Sequence, residues 1–178
     1  MESTGGPTIK VVCEDGDFQL PLAQLLRCGG TLADIHETSD NKSEVVLRGI
    51  TIPRITTRAF TSLAKYAQLT EHFLPQLAKP LKSLENMYRV TAPVFAEFAE
   101  SFVDSEELCY MILVANYVNN ESLLELLSAR LAQLLARLDT AQKREFFGIT
   151  RPFENPEREA EVIKENEEAT ELYQLQDE

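Results

Sequence analysis

Apolar residues change their spacing along the chain, and each change marks a different predicted element. After Thr8 the run IKVVC is rich in β-branched residues, and beyond Asp15-Gly16 the residues Phe18, Leu20 and Leu22 alternate with polar or small neighbours. Period-two patterning on both sides of a pair that tolerates positive φ predicts a β-hairpin over residues 8–22. From Pro21 to Ile35 the residues Leu25, Leu26, Leu32 and Ile35 suggest a helix or helix pair, with Gly29-Gly30 as a turn between two short pieces. The polar run HETSDNKSE reads as a loop, and Glu44 to Arg48 as a short third strand. Arg54 to Leu69 reads as a helix with Ile55, Ala59, Phe60, Leu63 and Ala67 near one side. The order β-β-α-β-α gives an α+β core.

Between Leu69 and Ala92 the pattern becomes irregular. Pro75, Pro80 and Pro93 cut the stretch into pieces too short for long helices, although Phe73, Leu74, Leu77, Leu81, Leu84 and Met87 offer packing surface. A partly ordered insertion is expected there. Downstream, Asp104 stands three residues before Glu107, the spacing of a capping box, and starts an apolar helix of Leu108 to Val118 that Asn119-Asn120 breaks. A leucine helix from about Glu121 to Leu138 follows. Leu123, Leu124, Leu127, Leu131, Leu134, Leu135 and Leu138 recur at helical spacing and fall on one face. Asp139 caps another short helix ending near Phe147-Gly148, and Asn155-Pro156-Glu157 has the cap and first-turn chemistry of a last one. The acidic end after Leu172 is expected to fray.

Composition narrows the function. The chain has 178 residues, 44% of them apolar, enough for a real core. Lys plus Arg total 17 against 29 Asp plus Glu, a formal charge of −12, which disfavours binding to a nucleic-acid backbone. The longest nearly unbroken apolar run, Leu108 to Val118, falls well short of the roughly 20 residues that cross a bilayer, so no membrane span is expected. The opening MESTGGPTIK lacks the pattern of a secretory signal, and the expected location is the cytoplasm and nucleus. Cys13, Cys28 and Cys109 are an odd number without CxxC spacing, and read as reduced thiols rather than as disulfides or zinc ligands. His36 and His72 fall in predicted loops and share no triad or metal spacing with a Cys or Asp. The acidic stretch EREAEVIKENEEATE reads as a solvated helix face, and Gly29-Gly30 lacks the following GK[ST] of a phosphate loop. No catalytic residue, metal site or cofactor is expected, and binding is the expected activity.

Several blocks carry a family likeness. VDSEELCYMILVANYV, SLLELLSARLAQLL, REFFGI and VIKENE, with the hairpin IKVVCEDGDFQLPL, the strand EVVLRGI and the block PVFAEF in the same order, resemble the S-phase kinase-associated adaptor (Skp) family of SCF ubiquitin ligases. The likeness covers roughly residues 8 to 168. It implies a BTB/POZ domain over 8–118, within which the irregular insertion falls at about 70–92, and a helical F-box-binding extension over 119–172, which leaves the acidic tail at 173–178. It further implies a non-catalytic linker between an F-box protein and a cullin. Carried over residue by residue, the cullin contact falls on Asn116 and Tyr117. The F-box contact falls on Leu123, Leu124, Leu127, Leu131, Leu134, Leu135, Phe147, Ile149, Val162 and Ile163. The chain also departs from the family pattern: Glu168 stands where a tryptophan usually follows the KEN tripeptide, Lys143 replaces an apolar residue, and the acidic loop expected near 70–90 gives way to a stretch bearing leucine and proline.

Plainer readings stand beside these. A leucine stripe is often core, and here Leu126 and Leu127 are read as inward while Leu131, Leu134 and Leu135 meet the partner. Asn116 and Tyr117 also suit a helix end, Asn closing it and Tyr covering its last turn. The functional alternatives are a cullin-independent scaffold in an F-box assembly, for example of kinetochore type, and a BTB module that pairs with its own copy through the F-box-binding face.

Overall fold

The hairpin forms where alternation places it. In a computed structural model that describes residues 6–49, 53–77, 86–149 and 155–174, strand β1 (Thr8–Val12) pairs antiparallel with β2 (Asp17–Pro21). Ile9 lies opposite Leu20 and Val11 opposite Phe18, so one face of the ribbon is apolar. The turn closes through Cys13 N–H donating to the Gly16 carbonyl at 2.8 Å, and neither Asp15 nor Gly16 takes positive φ. Asp15 instead reaches across the fold. Its carboxylate accepts from Thr57 N at 2.7 Å and Thr57 Oγ1 at 3.1 Å, and the backbone bond holds the carboxyl below its ordinary pKa.

A third strand, β3 (Glu44–Val46), lies parallel to β1 on its other side, giving the sheet order β2-β1-β3. Helices α1 (Leu22–Cys28) and α2 (Gly30–Thr38) make the parallel connection. Helix α2 runs through His36 to Thr38, so the polar loop is shorter than the sequence suggests. His36 is half-buried in its last turn, with Nε2 3.0 Å from the Lys42 carbonyl. Helix α3 (Thr57–Leu69) begins after Thr56, whose hydroxyl caps Ala59 N–H, and it buries Ala59, Phe60, Leu63, Ala64, Tyr66 and Ala67.

Residues 70–77 form no helix, and a single 3₁₀ turn follows at Met87–Arg89. Of the stretch where an insertion is expected, residues 70–77 and 86–92 are described, while Pro80, Leu81 and Leu84 lie outside the described residues. Pro93 does not break structure here. It occupies the first turn of α4 (Pro93–Glu100), where its missing N–H costs nothing and its fixed φ suits the helix. Helix α5 (Ser105–Tyr117) starts one turn before the predicted apolar run. Asp104 caps it by accepting from Glu106 N at 2.8 Å, one residue short of capping-box geometry, because Glu107 turns to an ion pair with Arg58 at 2.8 Å. Helix α6 (Glu121–Ala136) packs on α5 and α4, and leaves Leu138 beyond its end.

The fold separates into two compact units, residues 1–136 and 137–178. Ile9, Val11, Leu25, Leu47, Phe60, Leu63, Phe95, Leu108, Val114 and Leu123 are among the fully enclosed residues of the first unit. The second holds α7 (Thr140–Phe146) and α8 (Pro156–Gln174), joined by an ion pair from Arg144 to Glu159 at 2.9 Å. Helix α8 continues past Leu172 to Gln174, and the rest of the predicted acidic tail lies outside the described residues. The mixed α+β architecture with a small three-stranded sheet agrees with the BTB/POZ arrangement that the resemblance implies. Among the described residues no helix is long and apolar enough to cross a membrane, and no group of His, Cys, Asp and Glu is placed to hold a metal.

Candidate protein-interaction faces

Two surfaces of the first unit meet at one turn. At the end of α5, Asn116 is exposed and Tyr117 half-buried, and both lie outside the enclosed row Leu108, Met111, Val114, Ala115 and Val118. The turn that follows is fixed unusually well. Asn119 takes the left-handed conformation at φ 55, which Asn tolerates better than most residues. Asn120, only 8% exposed, then ties three segments together. Its Nδ2 donates to the Cys28 carbonyl at 3.0 Å and the Arg27 carbonyl at 3.3 Å. Its Oδ1 accepts from Leu123 N at 3.1 Å, the bond of a helix N-cap, and from Ser122 Oγ at 3.2 Å. The Tyr66 hydroxyl donates to Ser122 Oγ at 3.0 Å and extends the network into α3.

The α1–α2 turn grips the same place from the other side. Thr31 Oγ1 donates to the Tyr117 carbonyl at 2.9 Å, and Thr31 N–H to the Val118 carbonyl at 3.1 Å. Gly29 is packed so tightly that a Cβ there would stand 2.1 Å from the Val118 oxygen. The orientation of α6 against the end of α5 is therefore set by directional bonds as well as by apolar packing. Sequence reasoning named Asn119-Asn120 only as a helix break. The donor side of this buried amide has no signature in spacing, because the Cys28 and Arg27 carbonyls it bonds lie about ninety residues away.

The leucine stripe of α6 divides between core and surface. Leu123 and Leu127, both assigned to partner binding by the resemblance, are fully enclosed in the core, as is Leu126. They are not available to a partner in this conformation. Ala129 and Gln133 are enclosed too, so the buried direction lies roughly a quarter turn from the centre of the stripe at about 100° per residue. That rotation leaves Leu124, Leu131 and Leu135 along the other edge, each half-buried, with Leu134 between the two. Gln133, 2% exposed, has no hydrogen-bond partner at either side-chain amide atom.

In the second unit Asp139 and Gln142 form the reciprocal capping box of α7, Asp139 Oδ1 accepting from Gln142 N at 2.8 Å and Gln142 Oε1 from Asp139 N at 3.0 Å. The helix closes at Gly148, φ 65, where Ile149 N–H reaches back to the Arg144 carbonyl at 2.8 Å. This closure holds Phe147 and Ile149 outward at 48% and 45% exposure, and sets the Phe146 and Phe147 rings edge to face at 5.1 Å. In α8, started by Asn155 Oδ1 accepting from Arg158 N at 2.6 Å, Ile163 is 48% exposed and Val162 half-buried. Large apolar side chains held at half exposure by rigid local structure suit protein contact more than catalysis. The shifted pKa values point the same way, because burial pushes the Cys13 thiol up to about 11 and the Cys28 thiol up to about 12, holding both in their unreactive neutral forms.

Comparison with known proteins adds two matches. Residues 121–169, which span α6, α7 and most of α8, match the Skp1 family, dimerisation domain. The S-phase kinase-associated protein 1 homolog of Tetrahymena thermophila is 28% identical over 160 residues, covering 83% of this chain and 95% of the relative.

Proposed function

We propose that the chain is a divergent member of the Skp1 family and works as a non-catalytic adaptor that links an F-box substrate receptor to a cullin in an SCF-type ubiquitin ligase. The observation that carries this reading is the half-buried edge of α6 formed by Leu124, Leu131 and Leu135, inside the stretch that matches the family. An F-box is a small helical module, and an apolar edge of this kind fits one with about 800 Å² buried per partner, while Phe147, Ile149 and Ile163 offer the second unit's own exposed apolar side chains. The cullin would meet the end of α5 at Asn116 and Tyr117, and the Asn120 network would hold that contact in fixed register with α6. Work in the cytoplasm and nucleus would follow from such a role.

Binding assays with the purified full chain separate the two surfaces. Leu131→Asp and Leu135→Asp place a charge on the α6 edge and are expected to weaken F-box binding at least about tenfold while cullin binding holds. Asn116→Lys with Tyr117→Lys is expected to do the reverse. Unchanged F-box affinity in folded Leu131→Asp and Leu135→Asp proteins would remove the F-box assignment. Failure of the wild-type chain to bind any cullin would favour a cullin-independent scaffold. A second reading comes from the matched family's description as a dimerisation domain: the free chain pairs with its own copy through the same edge. Sedimentation of wild type against Leu135→Asp checks it, since only wild type should show a concentration-dependent dimer.

A further inference from the structure

The stretch least like a Skp chain carries its own apolar surface. Phe73 is 53% exposed, Leu74 58% and Tyr88 46%. Phe73 is not loose. Its ring meets the enclosed Phe95 ring of α4 edge to face at 5.4 Å, and Leu77 packs partly on the core at the far end of the same segment. Half of the Phe73 side chain is therefore fixed by the core and half offered outward. Tyr88 sits on the turn whose Met87 is fully buried, with Val90 N–H and Thr91 N–H both donating to the Met87 carbonyl at 2.9 and 3.0 Å. That turn packs on α4 as well. Side chains fixed in place lose little freedom when a partner arrives.

The carboxylates that act on Tyr88 belong to α4. Partial desolvation, then the Glu100 and Glu97 carboxylates of α4, push the Tyr88 hydroxyl above its ordinary pKa, which places both acids within electrostatic reach of the ring. Glu71, exposed beside Phe73, is paired with Arg27 at 3.5 Å and adds no free charge. The nearby bases are engaged: Arg89 has its own partner, and Lys65 lies over the Phe98 ring at 6.0 Å. An exposed aromatic face beside carboxylates attracts a cation through both ring and charge, and exposed Phe and Leu attract an aliphatic chain.

We propose that residues 71–77, the Met87–Arg89 turn and the outer face of α4 form an additional docking surface for a basic peptide segment bearing aliphatic residues. Tyr88, Glu97 and Glu100 take its cationic side chains, and Phe73 with Leu74 its aliphatic ones. The surface uses neither the α5 end nor the α6 edge, so it is independent of the adaptor reading and leaves those faces free for other partners.

A short synthetic peptide alternating leucine with lysine and arginine tests this on the full chain. Two-dimensional amide NMR should show its largest shifts at residues 71–77, 86–90 and α4. Phe73→Ser with Leu74→Ser, and separately Glu97→Lys with Glu100→Lys, should each weaken binding roughly tenfold in fluorescence anisotropy. Asp34→Lys with Glu37→Lys on exposed positions of α2 makes the same change in net charge and should leave the affinity within about twofold. Equal weakening in all three variants would mean general attraction to an acidic protein and would overturn the proposal. So would shifts that map elsewhere, or no binding by the wild-type chain. Each variant is checked for native circular dichroism, and the wild-type shift map decides alone if a variant fails to fold.

Discussion

Replacing Asn120 with alanine probes the turn on which both proposed partner surfaces depend. The substitution deletes four hydrogen bonds, two of which lie in buried surroundings: Nδ2 to the Cys28 carbonyl and Leu123 N–H to Oδ1. The other two partners, the Arg27 carbonyl and Ser122 Oγ, are part-buried and can find water, so their loss counts little. An enclosed polar group stripped of its partner costs about 1–3 kcal/mol, so the two buried groups together cost about 2–6 kcal/mol. That is a large share of the stability of a typical domain, and at about 2–4 °C per kcal/mol it corresponds to a fall in Tm of about 4–24 °C. Urea unfolding followed by far-ultraviolet circular dichroism measures it. Asn120→Ser is the companion, since serine can still cap Leu123 N–H but cannot reach the Cys28 and Arg27 carbonyls, and it should lie between alanine and wild type. A loss below about 0.5 kcal/mol in Asn120→Ala would mean that the bonds are replaced by water at no cost, and the turn would not be the rigid element argued above.

Three further outcomes are expected. Gln133→Met exchanges an enclosed amide without partners for an apolar side chain of similar length and should raise stability by about 1–2 kcal/mol, whereas a loss would show that the amide is satisfied. In the folded chain a thiol reagent near pH 8 should modify half-buried Cys109 first and reach Cys13 and Cys28 only on unfolding, and two fast thiols in the native protein would contradict their burial. Cys13 is pushed up to about 11 and Cys28 to about 12 from 9.0, and Tyr66 to about 12 from 10.0, because burial favours their neutral forms. Folded values above unfolded ones stabilise fully below about pH 9 and lose that contribution as pH climbs toward 12. The urea midpoint should therefore hold from about pH 7 to 8.5 and fall above about 9. A midpoint that stayed level up to about pH 11 would count against the enclosure of these groups.

The elements read correctly from the sequence are those whose causes are local. The hairpin needed only alternation and a short turn, the α1–α2 break only Gly29-Gly30, and the start of α7 only its cap Asp139, all within a few residues of one another. Helix α4 was missed because Pro93 reads as a breaker when its neighbours give no sign that it opens a helix. The placement of His36 failed for a related reason, since α2 runs through polar residues that carry no apolar period. On the candidate faces, spacing found the leucine stripe and the inward reading of Leu126 and Leu127 holds, whereas Leu123 is enclosed as well. Ala129 and Gln133 attract no notice as core residues, yet they turn the buried side of α6 and draw Leu123 and Leu127 inward. The exposed Asn116, Phe147, Ile149 and Ile163 sit where the family likeness expects contact, and their exposure depends on caps and turns that were partly legible beforehand.

The bonds between residues 27–31 and 117–123 also bear on how this chain can change. They fasten the two ends of a long stretch to each other, so whatever lies between is tethered at a common base. Lengthening a surface connection between the packed elements of such a stretch is inexpensive, since each doubling of a flexible loop adds only about 0.6 kcal/mol. Substitutions and insertions after α3 can thus accumulate without disturbing the start of α6. This explains physically how a segment as unorthodox as residues 70–92 persists inside an otherwise recognisable scaffold, and it marks that segment as the place where related chains have room to diverge.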